Sequence, residues 1–286
     1  MEKKVSLFLL LMSLVLIVSC NSNKDNKTST PDGYKLVWSD EFDYSGKPDS
    51  GKWAFEYGLI RNNESQYYTD SLKNARVEDG VLKIEAIKEP IKNAAFVSVD
   101  EQGWKKNTEF ASYTSASIST RSIADWQYGI IEVKAKIPGG VGLWPAVWML
   151  GNNYAEAGWP DCGEIDIMEY VGYHRDTVYA TIHTGAYNHT IGTQKGGNTF
   201  IEMPYDDFHL YSIEWTPEKI DFFLDGKLYF NVVNEHKTEQ EWPFDQPFFL
   251  KLNVAVGGSW GGVKGIDDAV FPQQMVIDYV RVYQLD

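Results

Sequence analysis

Two cysteines in 286 residues, Cys20 and Cys162, leave no disulfide framework to carry the stability of the chain. Basic charge is also scarce. Lys and Arg number 26 against 40 Asp and Glu, for a formal net charge of −14, which disfavours nucleic acid and strongly anionic ligands as partners. No helical period persists beyond two turns, no internal repeat is present, and no low-complexity stretch follows residue 32, so bundles and solenoids are excluded. The one long apolar run, Val5 to Val18, is too short for a comfortable membrane span.

That run follows Lys3 and Lys4 and ends at Ser19-Cys20, the layout of a secretory signal. Ile17-Val18-Ser19-Cys20 resembles a bacterial lipobox, in which cleavage leaves Cys20 as a lipidated N-terminus. Residues 1–19 then form the signal peptide, and the net charge becomes −15 once Glu2, Lys3 and Lys4 leave with it. Residues 20–32 form a lipidated Cys and a polar flexible tether, and residues 33–286 form one large domain. The expected location is the bacterial envelope, anchored by lipid at the outer membrane, with the domain acting as a monomer. A lipidated Cys20 cannot pair with Cys162, which is expected to be a small buried thiol.

Aromatics are plentiful, with 10 Trp, 17 Tyr and 14 Phe, and apolar residues fall in short alternating runs: Tyr34 to Trp38, Val81 to Ala86, Ile130 to Ile137 and Leu210 to Trp215. Ile220 to Leu224 and Lys227 to Phe230 flank Asp225-Gly226, a two-residue hairpin signal. Phe248 to Val256 and Met275 to Tyr283 follow, and Trp144 to Leu150 reads as a buried strand. Short strands without intervening helices predict an all-β fold, an antiparallel β-sandwich or jelly roll with a concave face on which a polymer can lie.

Glu164-Ile165-Asp166-Ile167-Met168-Glu169 interleaves three acids with large apolar residues. In a strand, Glu164 and Asp166 share one face while Ile165 and Ile167 enter a core on the other. Strict alternation would then bury Glu169, at a cost of several kcal/mol if it were unpaired. A β-bulge near Met168 is therefore expected, returning Glu169 to the acidic face. Crowded carboxylates raise one another's pKa, and chemistry is a reason to accept that cost. Two carboxyl groups about 5–5.5 Å apart let one attack an anomeric carbon while the other, kept protonated, donates to the leaving oxygen. The strand pattern does not say which is which. An acidic row of this kind also suits a divalent cation or a solvated edge strand.

Several ordered segments carry a resemblance: Trp38-Ser39-Asp40-Glu41-Phe42, Asn62 to Tyr68, Tyr128-Gly129 through Gly142 to Leu150, Gly163 to Tyr170, Phe208 to Trp215, and Ile277 to Tyr283. Together they resemble the laminarinase-like branch of glycoside hydrolase family 16. The resemblance implies a concanavalin A-like jelly roll with Glu164 as nucleophile, Glu169 as acid/base and Asp166 assisting the nucleophile, with retention of anomeric configuration. It also implies substrate contacts at Asn62, Glu64, Arg121 and His183, and a structural calcium ion at Glu41, Gly80 and Asp278. Catalysis itself would need no cofactor.

Indole faces suit the apolar CH faces of sugar rings. Trp144, Trp148 and Trp159 precede the acidic row as candidates, and Trp144 and Trp148 have the parity to share one strand face. Trp260 lies among glycines in Gly257 to Gly262, which predicts a mobile loop and a substrate contact. The resulting expectation is an endo-acting retaining β-glucanase acting on 1,3-β or mixed 1,3-1,4-β glucans. The alternatives are a hydrolase of red-algal galactan, of agarase or porphyranase type, and a non-catalytic lectin-like glycan-binding module.

Overall fold

In the strand Gly129–Lys136, Ile131, Val133 and Ala135 are buried while Ile130, Glu132, Lys134 and Lys136 stay partly exposed. That period of two commits one face to a core. The same logic repeated along the chain builds two antiparallel sheets in the computed structural model, which describes residues 30–286. The signal peptide, Cys20 and most of the tether expected from the sequence lie outside the described residues. Pro31–Asp286 forms one unit.

The first sheet has eight strands. In spatial order they are Lys227–Val233, Lys219–Leu224, His209–Trp215, Gly129–Lys136, Gln273–Leu285, Val81–Ala86 and Ala75–Glu78, with Tyr34–Asp40 also pairing to Gln273–Leu285. The second has seven, in the order Lys195–Phe200, Thr177–His183, Glu164–Tyr170, Leu143–Gly151, Phe248–Val256, Ser117–Ser119 and Ala54–Phe55. Described helices are two single turns, Trp104–Asn107 and Tyr154–Ala157, and a short 3₁₀ turn, Asp268–Val270. The all-β sandwich expected from the sequence is therefore the fold, and no described helix is long and apolar enough to cross a membrane.

Between the sheets lies a core that includes Trp215, Phe222, Phe244, Phe248, Ile165, Leu252 and Val280, all at most 1% exposed. Burying each such side chain contributes about 1.5–3 kcal/mol relative to leaving it in water. Phe248–Val256 is buried along its whole length. One of its faces meets this core, and Phe249 on the other joins Ala146, Trp148, Leu150 and Cys162 in a second cluster. Cys162 is a free buried thiol, with its pKa raised to about 12 by burial and by Glu164. It is a packing residue, as expected. Asp225 and Gly226 both adopt positive φ, 51° and 76°, between paired Leu224 and Lys227, the two-residue hairpin turn that their sequence signals.

Pairing of Asp40 with Val280 and of Leu82 with Ile277 brings Glu41, Gly80 and Asp278 toward one stretch of the strand Gln273–Leu285. There the Glu41 carboxylate accepts hydrogen bonds from Arg281 Nε and Nη2 at 2.9 and 2.8 Å, and Asp278 lies 3.1 Å from Lys134 Nζ. As arranged, these carboxylates form ion pairs rather than an open cation cage.

Gly129 marks where the first sheet admits no side chain. Its φ is +118°, and a Cβ there would sit 2.2 Å from the Tyr283 carbonyl oxygen of the neighbouring strand. Gly129→Ala is expected to lower unfolding stability by about 1–3 kcal/mol through overpacking and backbone strain. Chemical denaturation checks this, and an unchanged midpoint would show that the strand pair relaxes without cost.

Candidate active site

Strand register places the acids. Glu164–Tyr170 pairs with Leu143–Gly151 so that Ala146 faces Glu169, Val147 faces Met168 and Trp148 faces Asp166, leaving Ile167 without a partner. On its other side Asp166 faces Thr181 and Glu169 faces Tyr179. The bulge expected near Met168 is thus present, and it sends both Ile167 and Met168 into the core, each at most 1% exposed. Glu164, Asp166 and Glu169 emerge together on the opposite face, where they line a cleft of about 860 Å³.

Burial raises the pKa of all three acids, and their environments differ. Glu164 is pushed up to about 7 by burial, against the opposing pull of the Lys251 charge, a hydrogen bond from Trp159 and the Arg61 charge. Glu169 is pushed higher, to about 8, by burial and by the Glu164 charge, with only the Trp144 indole opposing; Trp144 Nε1 donates to Glu169 Oε1 at 3.0 Å. Asp166 is raised well above the usual carboxylate range by burial and by both neighbouring acids. The three therefore titrate as a coupled set in which Glu164 has the cationic neighbours and Glu169 has none.

Those cations belong to a network at the cleft floor. Glu56 accepts from Arg61 Nη2 and from Lys251 Nζ, each at 2.7 Å, and from Ser117 at 2.6 Å. Burial opposes the Glu56 charge, but Arg61 and Lys251 hold its pKa below the usual range. Lys251 itself, 5% exposed, is pushed down to about 8 by burial and by Arg61. Its ammonium sits 4.4 Å from the Trp148 ring centroid, and Arg61 lies 5.1 Å from the same ring, positions suited to cation–π attraction.

All eight residues expected to contact substrate line this cleft: Asn62, Glu64, Arg121, Trp144, Trp148, Trp159, His183 and Trp260. They are not equally presented. Trp148 is 8% exposed and spends its indole N–H on Asn253 Oδ1 at 2.8 Å, so it is floor more than open platform. Glu64 is 3% exposed, and it accepts from Asn62, Gln66 and Tyr68, an arrangement that pins the loop beside the cleft. Arg121 lies over the Tyr154 and Phe249 rings. Trp260 packs edge-on against Trp144 at 5.5 Å and Tyr179 at 5.1 Å. Its loop is tied rather than free: Ser259 N donates to Asn62 O and Gly257 N to Gly142 O, at 2.8 and 2.7 Å.

Residues 64–281 match the glycosyl hydrolases family 16. The chain belongs to that family. Over 281 residues it is 47% identical to a beta-glucanase of Rhodothermus marinus, covering 95% of this chain and 92% of that protein. The solved laminarinase of the same organism superposes with a TM-score of 0.79 at 48% identity, over 88% of this chain and 98% of that one. A non-specific endo-beta-1,3(4)-glucanase of family 16, crystallised with a glucan oligosaccharide, gives a TM-score of 0.80 at 44% identity, over 90% and 96% of the two chains. The expected family and its sandwich fold are therefore confirmed, and the protein is a glycoside hydrolase.

Sequence reasoning missed several cleft residues: Glu56, Arg61, Lys251, Asn253, Tyr179 and His189. Lys251 and Asn253 did leave a signal. They are the two strongly polar residues, two positions apart, in the otherwise apolar run Phe248 to Val256, a spacing that puts both on one strand face. Glu56 and Arg61 left none, because their partnership depends on a loop folding over the sheet.

A raised carboxyl pKa has a stability consequence of definite sign. The folded state favours the protonated form, so this contribution is fully present below the unfolded-state pKa and is lost as pH rises through the folded value. For Glu169 the loss runs from about 4.5 to about 8. Glu169→Gln, which stays neutral, is expected to gain on the order of 1–3 kcal/mol over the parent at pH 9 and little at pH 4. Melting temperatures of both proteins across that range check it; an equal offset at both ends would show that Glu169 is not held neutral by the fold.

Proposed function

We propose that this family 16 glycoside hydrolase is an endo-acting β-glucanase that cleaves 1,3-β linkages, alone or in mixed 1,3-1,4-β glucan, by double displacement. Glu164 is the nucleophile, Glu169 the acid/base and Asp166 the residue that assists Glu164. The observation that carries the reading is the electrostatic asymmetry across the bulge. Lys251, Arg61 and Trp159 favour the charged form of Glu164, whereas Glu169 meets an indole and a like charge. One acid is thereby suited to attack and the other to donate a proton.

The same asymmetry serves both steps. In the first, Glu164 bonds to the anomeric carbon while Glu169 protonates the departing glycosidic oxygen. Forming the ester removes the Glu164 charge, and with it one of the influences that raise Glu169. Glu169 is then a more stable carboxylate, ready to take a proton from the water that releases the sugar from Glu164. Two inversions at one carbon give net retention. Trp144 holds the Glu169 oxygen through its indole N–H, fixing the acid beside the bond it protonates.

A neutral glucan suits the charge balance of the cleft. Arg61, Arg121 and Lys251 line it against Glu56, Glu64, Glu164, Asp166 and Glu169, and Arg61 and Lys251 are both bonded to Glu56. Little positive charge is left for a sulfated galactan. A purely binding module would gain nothing from the mutual repulsion of three buried acids.

Glu164→Gln is expected to lower kcat on laminarin by roughly 10³-fold or more while changing glucan affinity little. Proton NMR of early products from the parent should show the β anomer. Substantial residual turnover in the variant would remove Glu164 from its role, and an initial α anomer would rule out double displacement.

A structural calcium ion at Glu41, Gly80 and Asp278 belongs to the same proposal, since carboxylate and carbonyl oxygens suit calcium. Binding would require Arg281 and Lys134 to release those carboxylates. The expectation is a higher melting temperature in calcium than in EGTA, absent in Glu41→Ala. No difference in the parent would leave the ion pairs as the resting arrangement.

A further inference from the structure

His183 stands directly across the strand pair from Glu164 and points its Nε2 between two of the acids, 3.5 Å from Asp166 Oδ2 and 3.8 Å from Glu164 Oε1. One ligand atom from each residue lies within 4.8 Å of the other two. All three groups are recessed, with side-chain exposures of 9%, 4% and 16% for His183, Asp166 and Glu164. Asp166 Oδ2 is wholly buried and has no hydrogen-bond partner, an unusual state for a carboxyl oxygen inside a protein. It faces the imidazole at a separation too long and too poorly aligned to satisfy it.

We infer that Glu164, Asp166 and His183 form a binding site for a divalent transition cation of the zinc type, and that occupancy blocks hydrolysis. Nitrogen and carboxylate donors bind zinc at about 2.0–2.2 Å, so in a tetrahedral site neighbouring donor atoms lie roughly 3.3–3.6 Å apart. The two separations from His183, 3.5 and 3.8 Å, are already close to that geometry, and the two carboxylate oxygens, within 4.8 Å of each other, would draw together on the ion. One imidazole and two carboxylates supply three ligands, and the cleft leaves the fourth position to water. Calcium and magnesium want six or more oxygens and are poorly served by this set. An imidazole in the trio selects zinc, copper or nickel instead. His183 Nδ1 lacks the hydrogen-bonding partner that usually orients a ligating imidazole, so binding is reversible and chelators strip it.

Inhibition follows from geometry. A cation bound through Glu164 Oε1 engages the carboxylate that attacks the sugar and stands in the path of the anomeric carbon. This consequence rests on the nucleophile reading of Glu164, whereas the site itself does not. Binding and inhibition are therefore read separately.

Isothermal titration of the protein with zinc chloride should give one site whose affinity falls at least tenfold in His183→Asn and in Asp166→Asn. Both variants are first checked for cooperative melting. His236→Gln, at an exposed imidazole paired with Glu218, should bind as the parent does. A short 1,3-β-glucan oligosaccharide should compete with zinc, and EDTA should restore hydrolysis. No zinc binding by the parent, or parental affinity in both His183→Asn and Asp166→Asn, would overturn the site while leaving the hydrolase reading intact. Binding that depends on the trio but leaves hydrolysis unchanged would uphold the site and count against Glu164 as nucleophile.

Discussion

Three carboxylic acids within one seven-residue strand, held on a face that water barely reaches, cannot all carry charge. Each ionisation makes the next more expensive, and burial raises the cost of the first. The surrounding structure divides that burden instead of relieving it evenly. Cationic groups are placed toward Glu164, an indole toward Glu169, and neither toward Asp166, whose buried Oδ2 has no hydrogen-bond partner. A symmetric solution, with one cation for each acid, would give three ionised carboxylates and no proton donor.

The cation network at the cleft floor shows how the asymmetry is maintained. Arg61 and Lys251 are themselves buried, and two unpaired buried cations would be as costly as the acids. Glu56 binds both and Glu64 stands 4.0 Å from Arg61, so the two cations are compensated while their charges still act on Glu164. Trp148 supplies the low-dielectric surface between them, with its ring against both cations and its N–H satisfied by Asn253. The Trp148 side chain, expected from the sequence as a sugar contact, is thus largely enclosed by these groups at the cleft floor. Trp144 and Trp260 pack edge to face beside Glu169 and line the cleft.

Much of this was legible in the sequence because periodicity is a local property. Ile165, Ile167 and Glu169 could not all obey one alternation, and the conflict alone called for an offset near Met168, which the register supplies. The Asp225-Gly226 turn and the strands on either side were equally local. What escaped was non-local. Lys195–Phe200 reads Lys-Gly-Gly-Asn-Thr-Phe, a poor strand by propensity, and it forms at the sheet edge because Thr177–His183 offers it a ladder. Gly197 is required there, since an added Cβ would meet the Phe230 Cβ at 2.7 Å and its ring at 2.8 Å. Glu56 met Lys251 across 195 positions of sequence, a contact that no window of the chain contains.

The acids are tolerable because of what lies behind them. Ile165, Ile167 and Met168 anchor the acidic strand in the inter-sheet core from the opposite face, so the strand that bears the repulsion is also among the best buried. The bulge contributes twice: the extra residue returns Glu169 to the cleft, and it also places a second consecutive side chain, Met168, in the apolar layer. Destabilising charge and stabilising burial thus come from the same six residues. Natural proteins accept such local costs at functional sites when the surrounding structure over-determines them. Here the over-determination is physical, because reversing the bulge would bury Glu169 and expose Met168, losing on both faces of the sheet at once.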